Sequence, residues 1–163
     1  MRRSMLFLPG NSPNILLNAD FLGSDAIILD LEDAVSPDEK DAARILVRHA
    51  IKSLGFPGVE IIIRINSIDT PYWKKDIDAI LPYQPGLVLL PKTGSAAEVQ
   101  AADEYMTQLE QSLGLEKNTV GLMPLIETAL GVENAFSMAE IQRKRLIKRT
   151  VKWISLPVII LVT

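Results

Sequence analysis

The sequence has 163 residues and no cysteine, which excludes disulfide bonds, thiol nucleophiles and thiolate metal sites. This length is typical of a single domain and is short of the roughly 250 residues of a complete eight-stranded β/α barrel. With 48% hydrophobic and 23% charged residues, the composition is that of a globular protein. No apolar run approaches the ~20 residues of a membrane span, and the first residues lack a signal-peptide pattern, so we expect a cytoplasmic protein without membrane contact.

The charge is unevenly distributed along the chain. Positions 141–163 hold six basic residues and no acidic residue, which leaves 11 basic and 20 acidic residues, a net charge of −9, in positions 1–140. An acidic body argues against nucleic acid as a partner, because phosphate binding requires clustered lysines and arginines. The basic and apolar end allows a membrane anchor or a nucleic-acid patch as an alternative. Its apolar run is too short to span a membrane and is interrupted by Pro157, so we expect neither.

Five short apolar runs alternate with helical patterns along the chain. Because each run is almost continuously apolar, the runs predict parallel strands that are buried on both faces. Ser36–Glu39 predicts a capped helix start, and Ser95 with Glu98 predicts a second one. Strands separated by helices form β/α units, so we expect a parallel α/β fold of about five units. The predicted strands are Ser4–Leu8, Ala26–Leu31, Glu60–Ile65, Leu87–Leu90 and Val120–Ile126.

Polar residues follow the carboxyl ends of all five predicted strands. These ends share one edge of a parallel sheet, where parallel α/β proteins bind their ligands, so the set predicts a binding site. The alternative is that strand ends are polar because they emerge into loops. The candidate residues are Pro9, Gly10, Asn11, Glu32, Asp33, Arg64, Lys92 and Glu127.

The residue types at this edge favour a hard metal ion and an anionic substrate. Carboxylate oxygens without a neighbouring histidine select Mg²⁺ or Mn²⁺, and clustered carboxylates are costly without a cation. Glu127 with Glu32 and Asp33 therefore predicts a metal site. Arg64 lies within a strand, where its rigid fork suits a substrate carboxylate, although an ion pair with one of these acids is the alternative. The turn from Pro9 lets backbone N–H groups approach a ligand, or it is an ordinary tight turn.

Five segments at the predicted strand ends form an ordered set of motifs. They are Arg3–Asn11, Leu29–Val35, Ile63–Asn66, Leu90–Lys92 and Pro124–Thr128. Together they resemble the motifs of the citrate lyase beta-subunit family, within the wider HpcH/HpaI aldolase group. The resemblance implies a TIM-type (β/α) barrel, a homo-oligomer, and an Mg²⁺-dependent carbon–carbon lyase, and the length of the chain makes us expect an incomplete barrel. The substrates of that family are citryl- or malyl-type acyl thioesters, carried on coenzyme A or on an acyl carrier protein.

The resemblance also implies a role for each matching residue. Glu127 is expected to bind the metal directly, beside the substrate, and Glu32 and Asp33 are expected to hold metal-bound waters during catalysis. Arg64 is expected to bind the carboxylate of the keto-acid product and so to take part in catalysis. The residues expected near the thioester and its carrier are Pro9, Gly10, Asn11 and Lys92.

The resemblance ends near Met138. We therefore expect a partial-barrel domain over residues 1–140 and a divergent tail over residues 141–163, as in a chain truncated after its fifth β/α unit. Val158–Val162 is a candidate sixth strand that would cover part of an exposed sheet edge. The family's second metal-binding aspartate has no counterpart here, so we expect weak Mg²⁺ binding and poor catalysis. The alternative function is a non-catalytic fragment that binds a thioester or associates with full-length subunits.

Overall fold

The computed structural model describes residues 3–146 and 159–160, and within them six parallel strands form a sheet in chain order. The strands are β1 (Met5–Pro9), β2 (Ala26–Asp30), β3 (Glu60–Arg64), β4 (Leu87–Leu90), β5 (Gly121–Ile126) and β6 (Ile159–Ile160). The α-helices are α1 (Pro13–Leu17), α2 (Lys40–Leu54), α3 (Trp73–Ile80), α4 (Ala96–Ser112), α5 (Ala129–Glu133) and α6 (Ala135–Leu146). Short 3₁₀ turns span Ala19–Leu22, Pro37–Glu39 and Leu81–Tyr83. No helix in the described ranges is both long and apolar enough to cross a membrane.

The five predicted strands are confirmed, each within one residue of its predicted bounds. Across the described residues the parallel sheet does not close on itself, which confirms the prediction of an incomplete TIM-type barrel. Ile159–Ile160 pairs in parallel with β5, so the sixth strand is confirmed for these two residues. The rest of Val158–Val162, and the chain between Leu146 and that strand, lie outside the described residues. The division at residue 140 falls within α6 and stays a prediction.

The sheet buries apolar side chains on both faces. One face packs against the helices through residues such as Ile27 and Leu29. The other face, called the inner face here, carries a separate apolar cluster that includes Ile28 and Ile62. Side chains alternate between faces along a strand, so Asp30 and Arg64, two residues beyond these isoleucines, also belong to the inner face. Asp30 pairs in register with Arg64, at the carboxyl ends of β2 and β3.

The two predicted helix starts have different outcomes. Ser95 caps α4 as predicted, because its Oγ accepts a hydrogen bond from the Glu98 N–H (3.4 Å), and Glu98 accepts one from the Gly94 N–H (2.8 Å). The prediction for Ser36 was wrong in detail, since Pro37–Glu39 form a 3₁₀ turn. The Ser36 hydroxyl contacts the Glu39 carboxylate (3.2 Å) and caps no backbone N–H, so α2 begins after this turn.

A buried ionic network joins α2, α3 and the loop after β3. Asp76 accepts a hydrogen bond from Arg44 Nη1 (2.8 Å), and it also accepts from the backbone N–H (2.8 Å) and the side-chain amide (2.7 Å) of Asn66. Asp76 is fully buried and Arg44 is 6% exposed, so Asp76 depends on Arg44 for compensation, while Arg44 also pairs with the exposed carboxylate of Asp41. The Asn66 amide also donates to the Leu31 carbonyl (2.9 Å), which connects the network to the loop after β2.

Gly10 has no room for a side chain. A Cβ atom there would lie 2.5 Å from the Asp30 backbone oxygen and 2.9 Å from Val47 Cγ2. We expect Gly10→Ala to lower the free energy of unfolding by about 1–3 kcal/mol, because the turn after β1 must move away from β2. Urea denaturation measures the loss. Gly94→Ala is the matched control, since its nearest neighbour would be at 3.4 Å, and equal losses in both variants would contradict the explanation.

Asp76 is the acceptor on which the buried network depends. We expect Asp76→Ala to lower the free energy of unfolding by about 3–5 kcal/mol, because it leaves the buried guanidinium of Arg44 with only the exposed Asp41 carboxylate and removes the acceptor of two Asn66 N–H groups. Asp78→Ala, on the exposed side of the same helix, should cost less than about 1 kcal/mol. Thermal and urea unfolding of both variants give the comparison. A small effect of Asp76→Ala would contradict this explanation and would mean that Asp41 alone compensates Arg44.

Candidate active site

A buried ion pair joins the carboxyl ends of β2 and β3. Arg64 donates from Nε to Asp30 Oδ1 (2.7 Å) and from Nη2 to Asp30 Oδ2 (2.5 Å), a two-point contact that fixes the guanidinium plane. Phe7 of β1 covers this group, with its ring centre 4.9 Å from the guanidinium carbon. Burial alone would raise the pKa of Asp30, but the hydrogen bonds from Arg64 and from the Glu32 N–H hold that pKa below its ordinary value. The pair is therefore ionised near neutral pH.

The loop after β2 is held by side chains on both sides. Asp30 accepts hydrogen bonds from the backbone N–H groups of Glu32 (2.8 Å) and Ala34 (3.0 Å). From the other side, Lys40 Nζ donates to the carbonyl oxygens of Leu31 (2.7 Å) and Glu32 (2.7 Å). These contacts satisfy buried backbone groups that have no partner in the sheet, and they fix the backbone that carries the Glu32 carboxylate.

Glu32 lies buried between two cations. Lys92 Nζ is 3.0 Å from Glu32 Oε1 and 3.0 Å from Asp33 Oδ1. Arg64 Nη1 is 3.4 Å from Glu32 Oε2 and 3.9 Å from Asp33 Oδ2. Glu32 Oε2 accepts no hydrogen bond from any described residue, although it is buried. Burial raises the pKa of Glu32, and the Lys92 hydrogen bond only partly opposes this. This oxygen is therefore available to a further cation or proton.

Glu127 enters the same site through the backbone of Lys92. Glu127 Oε1 accepts a hydrogen bond from the Lys92 N–H (2.8 Å). Lys92 has a φ of +51°, in the left-handed region, which is unusual for a residue with a side chain. In this conformation its N–H reaches the end of β5 while its side chain reaches Glu32 at the end of β2. Lys92 and Glu32 thus connect Glu127 to Arg64 on one face of the sheet.

The Pro9–Asn11 turn lies beside the end of β2, on the β1 side of the site. The Gly10 N–H donates to the Asp30 carbonyl (2.8 Å), and the Asn11 amide donates to Glu39 Oε2 (2.7 Å). The Asn11 side chain is therefore held toward the start of α2. The following helix, α1, has only five residues.

Several supporting side chains are absent from the candidates predicted by sequence. Asp30 was recognised only as part of a motif, and Lys40, Arg44 and Asp76 were not recognised at all. The sequence does contain a signal for Lys40, Arg44 and Asp76. Each of them lies at helical spacing from buried apolar residues, as Asp76 does from Trp73. A charged residue on a buried helix face implies a buried partner.

The oxygen atoms of the site suit a divalent cation that keeps part of its water shell. The carboxylates of Glu32, Asp33 and Glu127 are hard ligands, and Glu32 Oε2 is buried without a hydrogen bond. Within the ranges that the structure describes, no three acidic or histidine side chains are grouped closely enough to hold a metal ion together. Mg²⁺ is commonly held by one or two carboxylates and several waters, so the residues present fit that ion.

The lowered pKa of Asp30 predicts a pH-dependent contribution to stability. Its carboxylate stabilises the folded state fully above the ordinary Asp value of 3.8, and this contribution is lost as the pH falls through the lower folded-state value. We expect Asp30→Asn to cost about 2–3 kcal/mol at pH 7 and less at pH 3. Urea denaturation at both pH values measures this. Exposed Asp38→Asn is the control, and a cost of Asp30→Asn that does not change with pH would contradict the assignment.

Comparison with known proteins gives matches over most of the chain. Residues 3–154 match the HpcH/HpaI aldolase/citrate lyase family. Citrate lyase subunit beta of Leuconostoc mesenteroides subsp. cremoris is 41% identical over 139 residues, which cover 85% of this chain and 46% of that protein. L-malyl-CoA/beta-methylmalyl-CoA lyase of Cereibacter sphaeroides is 36% identical over 141 residues, which cover 84% of this chain and 44% of that protein. The chain thus spans about half the length of these relatives.

A solved structure agrees with the sequence matches. Protein CitE from Mycobacterium tuberculosis, in complex with magnesium, acetoacetate and coenzyme A, superimposes with a TM-score of 0.61 at 29% identity. The match covers 83% of this chain and 43% of that one. The family match over residues 3–154 agrees with the parallel β/α architecture of this chain and with the acidic residues at the edge of its sheet. The chain belongs to the HpcH/HpaI aldolase/citrate lyase family.

Proposed function

We propose that the protein is an Mg²⁺-dependent carbon–carbon lyase that acts on a citryl- or malyl-type acyl thioester. The observation that carries this proposal is the convergence of Arg64, Glu32 and Glu127 at one edge of the sheet, through the contacts of Lys92. The names of the relatives, which include a citrate lyase subunit and a malyl-CoA lyase, support the reaction class. The magnesium and coenzyme A in the complex of the CitE protein support the choice of metal and thioester.

In this proposal the carboxylates hold the metal and Arg64 orients the keto acid. Glu127 would hold Mg²⁺ as a direct ligand, and Glu32 and Asp33 would hold it through water molecules. When bound, the ion polarises a carbonyl oxygen and stabilises the negative charge that develops during carbon–carbon cleavage. Two nitrogens of Arg64 are engaged by Asp30, so the substrate carboxylate is bound through the remaining Nη1, which already faces the site. The ion pair with Asp30 then positions the guanidinium.

The thioester and its carrier approach from the side of β1 and β4. Pro9 and Gly10 present the backbone of a tight turn that lies against the end of β2, and Asn11 follows them. Lys92, which is about half exposed, supplies a positive charge at the rim for the anionic carrier. We further propose that the active form is a homo-oligomer, as the family resemblance implies.

A non-catalytic thioester-binding or subunit-association function is the second candidate. Its support is that Asp30, Glu32 and Asp33 each already contact Arg64 or Lys92, so that the carboxylates have cationic partners without a metal. In this candidate an anionic thioester would bind at the partly exposed Lys92 without a metal. The two candidates therefore differ in whether Mg²⁺ is needed for binding and turnover.

Turnover of citryl-CoA and malyl-CoA tests the proposal. We expect release of acetyl-CoA together with the keto acid, dependent on Mg²⁺, at a modest rate. Glu127→Gln should lower kcat by about 100-fold or more, because it removes the charge that binds the metal. Glu133→Gln, an exposed change on α5, should leave kcat unchanged. Thioester binding that is independent of Mg²⁺ and lacks turnover would favour the second candidate and refute the lyase.

A further inference from the structure

Lys92 Nζ lies between two carboxylates that a bound metal ion would also approach. We propose that Lys92 is an internal counter-ion that competes with Mg²⁺ for Glu32 and Asp33, and that it thereby sets the affinity of the site for the metal. This inference rests on the proposed metal site. It assigns a function to a residue outside the expected ligand set.

The contacts of the ammonium group are those of a shared cation. Its nitrogen lies 3.0 Å from Glu32 Oε1 and 3.0 Å from Asp33 Oδ1. Asp30 is already neutralised by the two-point contact with Arg64, so Glu32 and Asp33 depend mainly on Lys92 for their short contacts. A divalent cation that uses these oxygens, directly or through water, meets a like charge at close range.

The two basic residues of the site differ in their freedom to move. Arg64 is held by two hydrogen bonds to Asp30, and 11% of its side chain is exposed. The Lys92 side chain is 47% exposed and rests on a flexible stem. The ammonium can therefore turn into solvent when a metal ion arrives, whereas the guanidinium stays in place.

The backbone around Lys92 is fixed independently of its side chain. The Lys92 N–H is bound by Glu127, and the next residue, Thr93, donates its N–H to the Leu125 carbonyl (3.2 Å) and its hydroxyl to the Leu90 carbonyl (2.7 Å). Displacement of the ammonium therefore requires no movement of the loop. A substitution at Lys92 that keeps a long side chain should leave the positions of the carboxylates intact.

The competition has a definite sign. Removal of the ammonium frees Glu32 and Asp33, so it should tighten Mg²⁺ binding. Lys92, which both pairs share, is about half exposed, and ion pairs with a solvent-exposed partner are each worth a few-fold in an equilibrium constant, so the two pairs correspond to roughly a tenfold effect. A lysine that instead helps to build the metal site would give the opposite change when removed.

Calorimetric titration of the full chain with MgCl₂, at constant ionic strength because salt screens these charges, tests the inference. We expect Lys92→Met to bind Mg²⁺ about tenfold more tightly than the unsubstituted chain. Lys92→Arg keeps the competing charge and should change the affinity by less than about threefold. Lys52→Met removes the same charge from an exposed position in the last turn of α2, and should have no effect. Lys92→Gln is a second variant that removes the charge. Circular dichroism establishes that each variant is folded.

The outcomes separate this inference from the proposed function. Tighter binding by Lys92→Met and Lys92→Gln, but not by Lys52→Met, supports the competition. Equal or weaker binding by both charge-removing variants, with Mg²⁺ bound by the unsubstituted chain, overturns the inference and leaves the metal site standing. Binding by no variant, the unsubstituted chain included, overturns both.

Discussion

The site depends on one buried ion pair, between Asp30 and Arg64, which adjacent parallel strands hold in register. Burial of two charges is costly, so the pair contributes little net stability compared with an apolar pair of the same size. Its value is geometric. It fixes the guanidinium plane beneath Phe7, and the same aspartate binds the N–H groups of Glu32 and Ala34. The positions of the neighbouring carboxylates follow from that aspartate.

The loop after β2 needs support because its backbone leaves the sheet while still buried. Lys40 and Asn66 donate to its carbonyl groups, and Asp76 holds Asn66 in turn. Burial lowers the pKa of Lys40, although the surrounding carboxylates oppose that shift. Side chains of α2 and α3 thus position Glu32 through the backbone of its loop, although they would not themselves contact a substrate. Mutations of these side chains can therefore affect the site without removing a group that would contact the substrate.

Local patterns in the sequence were sufficient for the strands and for several side chains that the structure brings together at one edge of the sheet. Continuous apolar runs predict the strand bounds to within one residue, because strands that are buried on both faces tolerate few polar positions. The sequence alone gives Arg64 two alternative partners, a substrate carboxylate or a nearby acidic side chain. The choice depends on the register of β2 and β3, which pairs Arg64 with Asp30. Lys40 and Asp76 were missed because a buried charge is explained only by a partner distant in the chain. The contact of Lys92 with Glu32 likewise joins loops 60 residues apart.

Under the proposed function, one edge of the sheet receives both a cation and an anion. Arg64 is fixed by Asp30 and presents its Nη1 to the site, whereas Lys92 is held by two carboxylates and is partly exposed. If Lys92 competes with Mg²⁺ as proposed, a cation that binds Glu32 would displace Lys92 and leave its ammonium free for an anion at the rim. Metal and anionic substrate would therefore favour each other's binding, because each satisfies charges that the other leaves unpaired. A chain with only fixed ion pairs at this edge would lack that coupling.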